Sequence, residues 1–363
     1  MLPIKNDTVI INVCQVMPNL NDSHYWRVAS DTQNGSTYNQ EQLNRSFAFY
    51  IFSYLVLLLL CTVGNIFNLI IFVRDKRRSS ANCYMIATAI TDLGVLWLWF
   101  PLFFWEMSST LNLSYASIGN YAITSGLTGP VTWGQETCAN LADWILVVFS
   151  LERLLVLNAP FTYKWLQRPN TAKIIILVLA TFSAAFAVHF FVANTICFKR
   201  DLWAKPEQIP FWLIQWKSVQ EVAQGVVSAL VFLLVFVQNL ALVVLLTRRN
   251  QSEVGKMRMA QSANSTHTTS ERYSNLLLLG SAFLFLVSRF PSFVYRTLAW
   301  ASLFHSVEFD ESSQIMAANI ADIIFFSYYS FNFFIYLATN EHHRTGFIDI
   351  FRSLNKWARN SIS

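Results

Sequence analysis

Seven long apolar stretches recur along the chain, at 47–73, 83–106, 134–157, 174–197, 222–247, 274–301 and 313–339, and the polar segments between them hold most of the charge. A helix needs roughly 20 apolar residues to cross the hydrocarbon core of a bilayer. Lipid offers the backbone N–H and C=O groups no partners, so each stretch satisfies them internally by becoming helical. The pattern predicts an all-α membrane protein, a seven-helix bundle. After it, His343 to Trp357 mixes basic and aromatic residues, which predicts a short amphipathic eighth helix on the membrane surface. The expected divisions are a polar segment over 1–46, a membrane domain over 47–339, and an amphipathic helix and tail over 340–363.

Composition agrees with this reading. The chain has 363 residues, 54% hydrophobic and 13% charged, against about 25% charged in soluble domains. Placing the N-terminus outside puts sixteen Lys and Arg in the inner loops and tail and seven in the outer segments, with Arg153, Arg289 and Arg296 left inside spans. Cationic loops stay on the cytoplasmic side, so this asymmetry sets the orientation. The net charge of +5 is then a topology signal and implies no nucleic-acid partner. The N-terminus has no basic start followed by an apolar core, so no cleaved signal peptide is expected. Asn6, Asn21, Asn34 and Asn44 stand in glycosylation sequons on the side read as external. Of the five cysteines, Cys14 and Cys197 face the oxidising side, where a disulfide between them is possible; the rest are expected as buried thiols.

A few polar residues interrupt the apolar spans. Arg153 follows Glu152 at the inner end of the third, where hydrocarbon gives way to water, and a cation there is either paired or drawn to the interface. Asp92 lies mid-span in the second, Asp143 in the third, and Asp322 in the seventh. A carboxyl at membrane depth faces the bundle interior and marks function, or is held there by hydrogen bonds alone. Pro101 and Pro291 remove helical hydrogen bonds, and Pro291 makes the sixth span a natural pivot. Trp97, Trp99, Trp105 and Trp133 line an upper cavity or belong to the interfacial belt. His342-His343 reads as a surface pair. The six histidines show no metal-binding spacing with carboxylates, no phosphate loop or nucleophile motif is present, and no cofactor, metal or catalytic residue is expected. The chain shows no internal repeat of the kind that marks secondary transporters, which remain an alternative class, and no filter loop of a channel.

Gly64-Asn65, Asp92, Glu152-Arg153-Leu154 with Pro160, Phe285 with Pro291, and Asn332-Phe333-Phe334-Ile335-Tyr336 stand in order on the correct spans. Together they resemble a rhodopsin-class G-protein-coupled receptor over about 47–350. Phe333, where that family usually has proline, resembles the branch of FMRFamide-like and related invertebrate neuropeptide receptors. The resemblance implies that Arg153 holds the third and sixth helices together until activation, with Glu271 as its acidic partner. It implies a polar cluster of Asn65, Asp92 and Asn332, an inward swing of Tyr336, and a heterotrimeric G protein docking on Arg153, the loop around Phe161 and the basic third inner loop.

Several positions depart from the family pattern. Thr128 stands where a cysteine usually pairs with Cys197, and Arg289 stands where the family has a tryptophan switch. Cys138 and Ala142, poor ligands for a hard cation, stand where a sodium site would be completed. The resemblance places Gln135 at the aminergic aspartate, as in receptors for amidated peptides, and the seventh span has no lysine for retinal. Gln135, Glu136, Asp322, Arg289, Arg296 and Trp105 form a mixed-charge, aromatic outer cavity suited to a short cationic peptide. Alternatively Asp322 pairs with Arg289 or Arg296 for architecture, or the ligand is a small non-peptide molecule. The expected setting is the plasma membrane, with lipid around the bundle.

Overall fold

The structure, a computed structural model, describes residues 37–75, 79–110, 116–159, 161–199, 211–257, 278–294 and 311–362. Among these residues it is built of α-helices and one 3-10 turn, with no strand. The helices are α1 (Thr37–Arg74), α2 (Ser80–Thr110), α3 (Ala116–Asn158), α4 (Pro169–Lys199), α5 (Phe211–Met257), α6 (Leu278–Val294), α7 (Glu311–Thr339) and α8 (Glu341–Ile362). The 3-10 turn, Lys164–Gln167, joins α3 to α4.

Several boundaries have local chemical causes. Ser79 caps α2, its Oγ accepting from the Asn82 N–H at 3.3 Å. Pro169 opens α4, where the missing N–H would be unsatisfied anyway. Asn340 breaks α7 from α8: its Oδ1 accepts from the His343 N–H at 3.2 Å, so the asparagine caps the amphipathic helix. Three helices begin well before the apolar runs. α1 starts at Thr37 against an expected 47, α3 at Ala116 against 134, and α5 at Phe211 against 222.

Among the described residues, five segments are long and apolar enough to cross a membrane: Ala48–Arg74, Ser80–Phe104, Pro169–Ala193, Val222–Arg248 and Met316–Thr339. The described part of α6 is a shorter apolar helix. α3 is long but carries Gln135, Glu136, Asn140 and Asp143, which lower its hydropathy. The packing accounts for this, because α3 runs against α2, α4 and α5 and its polar residues meet protein. α1 in turn packs along α7 and α2. At Gly64 a Cβ would stand 2.7 Å from the Cβ of Phe333, so only glycine admits α7 at this depth. The Phe333 ring then stacks on Phe67 at 6.0 Å and meets Phe347 of α8 at 5.6 Å.

Candidate functional site

The inner end of α3 holds Glu152 and Arg153, both buried. Ser80, the first residue of α2, donates its hydroxyl to Glu152 Oε1 at 2.6 Å, tying the two helices together. Arg153 lies 3.9 Å from the same oxygen, and its guanidinium stands 5.2 Å from the centre of the Phe149 ring. Ser150, on the next face, accepts from Asn239 of α5 at 3.3 Å. Phe161, just beyond, is 95% exposed. Glu271, the expected acidic partner, lies outside the described residues.

Deeper in the bundle the expected cluster divides into two branches. Asn332 Nδ2 donates to Asp92 Oδ2 at 2.8 Å, joining α7 to α2. Asn65 turns elsewhere: its Nδ2 donates to the Tyr329 carbonyl at 3.2 Å, and its Oδ1 accepts from Asn68 at 3.1 Å. Asn68 Oδ1 in turn meets His343 Nε2 at 2.9 Å. His343 is fully buried between Phe72, Phe333 and Tyr336. The surface pair expected at His342-His343 is therefore corrected at His343. The asparagine cap turns α8 back under the bundle, and the imidazole finds a polar partner on α1. A cavity on the inner side is lined by Thr88, Phe149, Ser281, Tyr328, Asn332 and Tyr336.

One constellation was not read as a unit from the sequence. Arg289 on α6 forms an ion pair with Asp143 on α3, and its guanidinium also donates to the Tyr329 hydroxyl on α7 at 2.6 Å. The guanidinium stands 4.1 Å from the Phe325 ring centre and within 6 Å of those of Phe285, Tyr328 and Tyr329. The Arg289 and Asp143 side chains keep 14% and 18% of their exposure. An arginine and an aspartate inside two apolar spans were the available signal, but their sequence separation of 146 gave no register.

Gln135 is buried, and Glu136 accepts from Gln224 of α5 at 3.0 Å. Asp322 lies half-buried on α7. Trp97 faces outward and donates to Thr62 at 3.0 Å, while Trp133 donates to the Ala184 carbonyl of α4 at 2.9 Å. Neither indole N–H is turned toward a shared cavity. Arg296, Asn6, Asn21, Asn34 and Cys14 lie outside the described residues, and the side chains of Trp105, Asn44 and Cys197 are likewise not described.

The model of a known family, the serpentine type 7TM GPCR chemoreceptor Srw, matches residues 49–353. The chain belongs to that family. The match makes it a multi-pass membrane protein of the seven-transmembrane G-protein-coupled receptor type, and five of its described helices are long and apolar enough to cross a membrane. It is also similar to the thyrotropin-releasing hormone receptor of Bos taurus, 25% identical over 171 residues, covering 44% of this chain and 40% of that one. Similarity to the Homo sapiens receptor of the same name is 25% over 166 residues, covering 43% and 39%. The chain spans about 40% of the length of these curated relatives.

Proposed function

We propose that this receptor sits in the plasma membrane with its N-terminus outside, binds a short amidated peptide, and passes binding to a heterotrimeric G protein. Opening between α3 and α6 exposes Arg153, with Glu271 as the acid that holds it at rest. The observation that carries the reading is the buried Glu152–Arg153 step, tied to α2 through Ser80 and followed by the exposed Phe161. A cation kept from water at the inner end of the bundle is available only when a helix moves aside. Tyr336 lines a small cavity together with Asn332 and Phe149, on the side toward which it would turn.

The peptide reading is supported by the polar and acidic residues Gln135, Glu136 and Asp322 in the outer half, and by partial similarity to proteins named as hormone receptors. The family description as a chemoreceptor favours a second reading, in which the ligand is a small non-peptide molecule. Amidated peptides and small organic molecules, applied to cells expressing the chain with calcium and cyclic-nucleotide readouts, separate the two. A response restricted to small molecules overturns the peptide assignment.

A further inference from the structure

The geometry points to the Asp143–Arg289–Tyr329 junction as a conformational latch that holds α6 in its resting position. The inference rests on the receptor reading and names the regulation of that same opening.

Three features carry it. The junction joins three helices that are distant in sequence, through an ion pair between α3 and α6 and a hydroxyl on α7. It lies two residues before Pro291, where α6 is weakest as a helix, so the pair fixes the segment at its pivot. The guanidinium is also incompletely satisfied. Its Nε lacks a hydrogen-bond partner, while the Phe325 face and the Tyr329 hydroxyl both lie against it. A cation held by one carboxylate, one hydroxyl and a set of ring faces can exchange partners without being stranded in lipid. An exchange of partners would give the junction the second arrangement that a two-state switch requires.

A route from the outer surface is also present. Asp322, Phe325 and Tyr329 stand at helical spacing on one face of α7, with the Phe325 and Tyr329 ring centres 5.5 Å apart. A ligand seated against Asp322 bears on Phe325, and Phe325 covers the guanidinium.

The test uses the full chain in lipid nanodiscs without ligand or G protein. Spin labels are placed at Asn158→Cys on α3 and Phe283→Cys on α6, both exposed positions, with accessible native cysteines replaced. Wild type should give one short separation. The double variant Asp143→Leu/Arg289→Met removes both charges together, so it leaves no lone buried ion and should unfold at a temperature near wild type. It should nevertheless show the longer separation at a fraction raised about tenfold or more. Arg289→Lys, which keeps the charge, should fall between. A folded double variant with the wild-type distance distribution overturns the latch and leaves the pair purely architectural. Nucleotide exchange on G proteins is measured in parallel. Altered distances without exchange in any form would sink the coupling reading while sustaining the latch. Exchange with unaltered distances would do the reverse.

Discussion

Among the described residues, Arg153 and Arg289 lie inside the bundle, and they are held differently. Arg153 has its sequence neighbour Glu152 at 3.9 Å and the Phe149 ring beside it, both on its own helix. Arg289 has a carboxylate on α3, a hydroxyl on α7, and aromatic rings from α6 and α7. The contacts of Arg289 tie three helices together, whereas Arg153 stands at the inner end of α3 beside the exposed Phe161. Within one chain, then, the cation that would meet a partner and the cation that would restrain movement occupy separate places. The sequence motif drew attention to the first, and the cross-helix charge pair belongs to the second.

The largest effect should come from breaking the second seat on one side only. Arg289→Ala strands Asp143 in the interior, at a cost of about 3–5 kcal/mol, since an uncompensated buried charge is far worse than no pair. Surface expression and thermal unfolding in detergent should both fall sharply, and Asp143→Leu/Arg289→Met should recover most of the loss. Full stability in the single variant would mean that Asp143 finds water or another cation.

The inner seat should be more forgiving. Ser80→Ala removes the hydroxyl that donates to Glu152 Oε1 across the α2–α3 contact. The expected cost is about 1.5–3 kcal/mol, the range for hydrogen bonds to charged groups. Loosening α2 from α3 should also free Arg153 and raise ligand-free second-messenger levels. Lost stability with unchanged basal signalling would confine Ser80 to architecture.

A smaller change sharpens the contrast further. Phe325→Leu keeps apolar volume but removes the ring nearest Arg289, costing about 1–2 kcal/mol if the guanidinium is as desolvated as its burial indicates. The same replacement at Phe149, where the cation lies farther from the ring centre, should cost less. Equal losses at the two sites, read from thermal unfolding, would erase the distinction between the arginines.

The spans were legible because apolar length is a strong signal. The exception is informative. α3 is the span whose apolarity falls short, since a helix packed against three others need not present a lipid-compatible surface all round. The helix starts at Thr37, Ala116 and Phe211 were not legible, because continuation beyond the hydrocarbon leaves no apolar mark. At the site, Asp92 and Asn332 could be named from spacing within a known pattern, and they do meet. The His343–Asn68 contact could not. It depends on the turn at Asn340, and the separation of 275 residues carries no register. The Asp143–Arg289 pair was hidden for the same reason, although each charge by itself was conspicuous in an apolar run.

The most direct test of the division between the two arginines is nucleotide exchange on a G-protein panel, using purified receptor in nanodiscs without ligand. Asp143→Leu/Arg289→Met should exchange faster than wild type, and adding Arg153→Ala to it should abolish exchange while the α3–α6 separation stays long. Undiminished exchange in the triple variant would contradict the account, because the open bundle would then couple without the arginine at its mouth.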